Sequence, residues 1–167
     1  MTKIDSNGTD AENIAAGDGL NLPWRGLQLR HNASGVAEVF DPQRSQWLVL
    51  TPEEWVRQRF TAWLREDMGY PRSLIANEVG LRLNGQLRRC DTLVYDSSLH
   101  PLAVVEYKAP TVAITQRVFD QIARYNIVVQ ARVLIVSNGL RHYCCRYAGD
   151  GYEFLREVPV YDDLCRM

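Results

Sequence analysis

The sequence predicts an α/β sandwich built on a mixed sheet, and three observations predict it. Two strand-like runs, residues 74–83 and 88–95, flank Asn84-Gly85, a dipeptide that favours a two-residue hairpin turn. Residues 51–67 and 111–130 carry apolar side chains at helical spacing. The second of these helices leads into residues 132–136, which are short, β-branched and apolar. A strand reached through a crossover helix pairs parallel to the strand before it, whereas a hairpin pairs antiparallel.

Taken in order, residues 1–21 are polar, small and glycine-containing, and are expected to be a disordered tail. Residues 22–38 form an extension of uncertain structure. In it Trp24, Leu27 and Leu29 either lay a short segment on the domain or pack on a partner. A domain is expected over residues 39–158, with 159–167 as a tail. Val39-Phe40-Asp41-Pro42 and residues 47–50 suggest a small hairpin around DPQRSQ.

Thr51-Pro52-Glu53-Glu54 is a helix start, with a capping hydroxyl, proline at the first helical position, and Glu54 at the capping-box position. Val56, Phe60, Trp63 and Leu64 follow at i, i+4, i+7 and i+8, which makes one core face. Arg57 and Arg65 lie off that face, and Gly69-Tyr70-Pro71 ends the helix. In the second helix Ile114, Val118, Ile122, Tyr125 and Val129 mark the buried side. Asn138-Gly139 is a turn, and residues 141–147 and 152–155 form a last hairpin around AGDG.

With 167 residues, 46% hydrophobic and 23% charged, the chain is expected to fold as one globular domain. A net charge of −1 means that any basic surface is local. No run is long and apolar enough for a membrane span, and the N-terminus lacks the apolar stretch of a signal peptide, so the cytoplasm is the expected location. Cys90, Cys144, Cys145 and Cys165 show no zinc-like spacing, and His100 and His142 do not complete one, so reduced cysteines are expected.

The chemistry concentrates in PLAVVEYKAP, residues 101–110. An apolar strand there ends in Glu106-Tyr107-Lys108, and strand alternation puts Glu106 and Lys108 on one face. Pairing this strand with CDTLVY brings Asp91 beside Glu106. Two carboxylates and an ammonium at strand ends suit a divalent cation with a cationic helper, the requirement of metal-assisted phosphodiester cleavage. The plainer reading is a solvated cross-strand charge pair of little energetic weight. Arg117, Gln121 and Arg124 share a stripe on the second helix, with Tyr125 one turn from Gln121. Either this is a polar ridge meeting the site and a nucleic-acid backbone, or it is an ordinary solvated face.

This ordered set resembles the PD-(D/E)XK nuclease superfamily, with its restriction-endonuclease-like αβββαβ core. The acid on the second core strand matches Asp91, and the (D/E)-x-K of the third matches Glu106-Tyr107-Lys108. The Q-x-x-x-Y of recombination-type exonucleases matches Gln121 to Tyr125. More narrowly, TPEEWVRQRF, the LNG turn, CDTLVYD, VEYKAP and FDQIARYN look like the N-terminal nuclease domain of type I restriction enzyme R subunits, over about residues 40–154. Cys90 stands where the motif has proline.

The resemblance implies an Mg²⁺-dependent deoxyribonuclease, with Mn²⁺ as a possible substitute, acting on DNA and working with other restriction-system subunits. Asp91 and Glu106 would hold the ion, and Lys108 would sit beside the attacking water. A third acid is expected on the first helix, Glu54 or Glu53, with Glu78 on the strand before Asp91 as a competitor. Arg57, Arg82, Arg88, Arg89 and Arg117 would supply a local strip for phosphates, joined by Arg124. No GxxxxGK[ST] loop is present, so ATP-driven translocation is not expected of this chain. The alternative from another class is a non-catalytic module that keeps the fold for DNA binding or protein interaction. Trp24 lies in an irregular stretch where base stacking competes with packing, and His142 beside two cysteines reads as structural.

Overall fold

The computed structural model describes residues 19–167. Strands β1 (Leu29–His31), β2 (Ala37–Asp41) and β3 (Gln46–Val49) form a small antiparallel sheet. Helix α1 (Pro52–Glu66) follows. The main sheet then holds β4 (Ile75–Leu83), β5 (Gln86–Tyr95), β6 (Pro101–Tyr107), β7 (Val133–Ser137), β8 (His142–Tyr147) and β9 (Tyr152–Leu155), in that spatial order. Helix α2 (Gln116–Val129) makes the crossover between β6 and β7, which pair parallel. All other neighbours in the main sheet are antiparallel. This is the expected α/β architecture on a mixed sheet.

The two helices cover opposite faces. Val56, Phe60 and Leu64 of α1 pack with Val105, Tyr107, Val133 and Ile135. Val118, Ile122 and Val129 of α2 pack with Leu93, Val104, Leu134 and Val136. Consecutive residues of β7 thus enter different cores, which is why a run of five apolar or small residues is buried throughout. The Asn84-Gly85 turn has φ of 51° and 77°, the two left-handed residues that a tight twisted hairpin requires.

Three boundaries differ from expectation. Helix α2 begins at Gln116 rather than at 111. Thr111, Val112, Ile114 and Thr115 are β-branched and poor at starting a helix, and Asn138 Nδ2 binds Val112 O at 2.9 Å, holding the segment against the sheet end. The C-terminal residues form α3 (Tyr161–Arg166), whose Leu164 is buried and whose Tyr161 OH donates to Tyr95 O at 3.0 Å. Of the expected N-terminal tail, residues 1–18 lie outside the described residues. The residues that follow are tied to the domain: Asn21 N donates to Gly139 O at 2.8 Å, and Leu22 is buried in the α1-side core.

Gly139 fixes this attachment. Its φ is +81°, and a Cβ there would lie 2.7 Å from Leu20 Cδ2 and 3.1 Å from Val56 Cγ2. Gly139→Ala is therefore expected to lower stability by about 2–4 kcal/mol, combining left-handed strain with overpacking. Urea unfolding checks this, and an unchanged midpoint would contradict the tight contact.

Candidate active site

β5 and β6 pair in register as far as Thr92 and Val105, and then part. At the parting, Asp91 Oδ2 accepts the Tyr107 backbone N–H at 2.8 Å, so a carboxylate takes the place of a strand partner. Glu106 is 4% exposed and turns towards α2. Its Oε1 accepts Lys108 Nζ at 2.8 Å and Gln121 Nε2 at 3.1 Å. Gln121 Nε2 also lies 3.2 Å from the Tyr125 hydroxyl. Lys108 is anchored by its backbone N–H on Ser137 O at 2.9 Å, at the end of the parallel strand. Tyr107 points to the opposite face, against Phe60 of α1, with its hydroxyl 3.5 Å from Thr61 Oγ1. Five residues expected together from sequence, Asp91, Glu106, Lys108, Gln121 and Tyr125, are thus gathered at one end of the sheet.

On the α1 side of Asp91 lies a second group, centred on Arg57. Its Nη2 is 2.9 Å from Asp91 Oδ1 and 2.9 Å from Glu78 Oε1, and its Nη1 bonds Glu54 Oε2. The guanidinium carbon sits 5.7 Å from the centre of the Tyr107 ring. Glu54 also accepts Gln58 Nε2 at 2.9 Å and lies 3.4 Å from Arg44 Nη2. The Thr51 hydroxyl does cap α1 by accepting Glu54 N–H at 3.1 Å. The Glu54 carboxylate itself is spent on these three cationic and amide donors. Glu78 also binds Arg89. It stands opposite Asp91, between the paired Asn77–Thr92 and Val79–Cys90, with a left-handed φ of 58°. A non-glycine residue held there stores roughly 1–2 kcal/mol of strain, which its bonds to Arg57 and Arg89 offset.

Arg57 was expected in a phosphate-binding strip. It is 5% exposed and bridges three carboxylates, so it is an internal cation and not part of a surface strip. Its i,i+3 relation to Glu54 was visible in the sequence, but its bonds to Glu78 and Asp91 arise only from the sheet register. Arg82, Arg88, Arg117 and Arg124 are exposed, as is most of Arg89. Trp24 meets Trp55 with ring centres 5.8 Å apart and planes tilted by 40°, and the Arg59 guanidinium lies 5.2 Å from its ring centre, so Trp24 packs on α1. His142 stacks on Trp63, bonds Ser137 Oγ through Nδ1 and faces Asn21 O through Nε2, a structural setting. The cysteines are free thiols, three buried and Cys165 exposed.

The electrostatics are uneven. Asp41, Glu53, Glu54, Glu78, Asp91 and Glu106 form a connected group of six carboxylates, and the cations that bridge them among the described residues are Arg44, Arg57, Arg89 and Lys108. The shortfall falls on two acids. Burial, then the Asp91 charge, pushes the Glu106 carboxyl up to about 7 even with Lys108 bound. Burial and the same Asp91 charge raise Glu53. Lys108 is raised despite its burial, by its bond to Glu106 and by the charges of Glu53 and Asp91. Among the described residues, no three acid, histidine or cysteine side chains are already gathered as a metal-holding set. Glu53, Asp91 and Glu106 act on one another electrostatically, and of the three it is Glu53 and Glu106 that are raised.

The fold is similar to a solved fragment of a putative HsdR subunit of a type I restriction enzyme from Vibrio vulnificus YJ016, with a TM-score of 0.56 and 21% identity. The match covers 70% of this chain and 25% of that one, so this chain spans about a quarter of its length. No curated protein matches the sequence. No helix among the described residues is long and apolar enough to cross a membrane. Residues 52–159, which carry α1, the whole main sheet, α2 and every acid of the site except Asp41, match the model of the type I restriction enzyme R protein N terminus, and the chain belongs to that family.

Proposed function

We propose that this chain is an Mg²⁺-dependent DNA nuclease domain that hydrolyses phosphodiesters, in the cytoplasm, alongside other subunits of a restriction system. The observation that carries the reading is the convergence of Asp91, Glu106 and Lys108 at the parting of β5 and β6, with Gln121 bound to Glu106. A hard divalent cation fits this donor set, because a buried carboxyl raised to about 7 beside a second carboxylate lacks positive charge. Asp91 and Glu106 would hold the ion. Glu53 is the better third acid than Glu54 or Glu78, since each of those two is bonded by two arginines. When bound, the ion supplies Lewis-acid polarisation of the phosphate and a more acidic water.

The protein's own groups do the rest. Lys108 places an ammonium beside Glu106, where it orients a water and stabilises charge growing on the phosphate. Gln121 fixes the Glu106 carboxylate, and Tyr125 fixes Gln121. Arg88 and Arg89 on the β4–β5 hairpin and Arg117 and Arg124 on α2 are exposed and would hold the phosphate backbone. No base-reading element is assigned, so cleavage is expected to be sequence-tolerant.

The test is nicking of supercoiled plasmid with Mg²⁺, Mn²⁺ or EDTA. Wild type is expected to nick with metal. Lys108→Ala and Asp91→Ala are expected to lose about 10²–10³-fold or more while remaining folded, as when a principal stabiliser of transition-state charge is removed. A chain that stays silent with either metal, alone and with restriction-system subunits added, would leave the non-catalytic module as the reading.

A further inference from the structure

We infer that Arg57 is a resident cation that fills the α1 side of the acid cluster, so that the centre accepts a single divalent ion, between Glu53, Asp91 and Glu106. This rests on the metal-dependent reading above and concerns how many ions that site can take.

Two-ion phosphodiester cleavage needs carboxylates on both sides of a shared bridging acid, with the ions roughly 3.5–4 Å apart. Asp91 has the bridging position here, with acids to each side of it. On one side is Glu106, bonded by Lys108 and Gln121, with Glu53 on the first turn of α1. On the other are Glu54 and Glu78, whose charges are already matched. Arg57 binds both of these acids and Asp91. Arg44 and Arg89 add further bonds to Glu54 and Glu78.

The guanidinium is placed as an ion would be, and not as a surface side chain. It is almost fully buried, its Nε has no acceptor among the described residues, and its guanidinium carbon lies 5.7 Å from the centre of the Tyr107 ring. An arginine that keeps a buried donor unsatisfied is held there by its three carboxylates. Glu78 is held in a left-handed conformation that points its carboxylate at the same guanidinium. A second divalent ion on this side would have to displace a buried side chain bonded to three carboxylates. Arginine keeps its charge at any working pH, so it substitutes for an ion permanently.

The experiment is Mn²⁺ binding to the whole chain, followed by calorimetry and by the electron paramagnetic resonance of free Mn²⁺. Wild type is expected to bind one ion per chain, with no magnetic coupling between ions. Arg57→Lys keeps a positive charge and is expected to stay at one. Arg57→Met opens the side occupied by the guanidinium and is expected to bind two, with its melting temperature raised by Mn²⁺ more than that of wild type. One ion on folded Arg57→Met would overturn the role of Arg57, and where that variant does not fold the same count is made on Arg57→Gln. Two ions on wild type would overturn the role of Arg57 and leave the metal-dependent nuclease intact. No ion on wild type would overturn both.

Discussion

Glu106→Gln is expected to abolish nicking and, at the same time, to stabilise the metal-free protein at pH 8. The two effects share a cause. The fold holds the Glu106 carboxyl at about 7, well above its ordinary value of 4.5, because it is buried beside Asp91. An acid raised in this way binds its proton more tightly folded than unfolded. Its contribution to stability is therefore greatest below about 4.5, and is lost as pH rises through that value towards 7. The total is about 3 kcal/mol at most, at 1.36 kcal/mol per pKa unit. Glutamine keeps the shape without the charge. It should gain roughly 1–2 kcal/mol at pH 8 in EDTA, after the weakened contact with Lys108 is allowed for, and nothing at pH 4. Urea unfolding at the two pH values measures the difference. Equal stability of variant and wild type at pH 8 would falsify the burial of a costly charge at this position. A gain at pH 8 with nicking lost is the pattern of a site whose charge is kept for chemistry at the expense of stability.

Arg57→Met should have the largest stability effect in the molecule. Removing the guanidinium leaves Glu54, Glu78 and Asp91 with one fewer cation in a buried cluster. Breaking a buried ion pair from one side costs about 3–5 kcal/mol. That is a large part of the stability of an ordinary domain, about 5–15 kcal/mol. The loss should be smaller for Arg57→Met combined with Glu78→Gln, which removes one charge of each sign and relieves part of the repulsion. Denaturant midpoints of the two single variants and the double variant measure this coupling. A double variant as unstable as the sum of the singles would mean that Arg57 and Glu78 act independently.

The parts of the site that were legible in the sequence are those set by short-range periodicity. Glu106 and Lys108 share a face because strands alternate, and Gln121 meets Tyr125 because helices repeat every three to four residues. The Asn84-Gly85 turn fixes the β4–β5 hairpin locally. The return from β5 to β6 was also readable, and with it the approach of Asp91 to Glu106. Long-range contacts were not readable. Arg57 reaches Asp91 across 34 positions, and only the docking angle of α1 on the sheet decides whether an off-core arginine points to solvent or into a row of acids. The left-handed Glu78 carries no composition signal, since nothing in NEVG marks the position as irregular. The docking of residues 20–22 was hidden for the same reason: a stretch that follows a polar, glycine-containing run is ordered here by partners at Gly139 and His142, more than a hundred positions away.

The order of the main sheet, in which every strand lies beside its neighbour in the chain, bears on how the molecule reaches this state. No strand has to be threaded between two that are already paired. Each can add to the growing edge as it becomes available, and the only large loop to close is the α2 crossover. Pairing between chain neighbours keeps the sheet's own contacts local in sequence, which favours rapid folding. Asp91 and Glu106 lie within one meander, so the acids would be brought together as soon as β5 and β6 pair. Mutual repulsion would then oppose that step until the amino-terminal helix docks and delivers Arg57. Ionic strength should therefore speed the folding of this chain by screening the early repulsion, a dependence opposite to that of a domain whose first contacts are ion pairs.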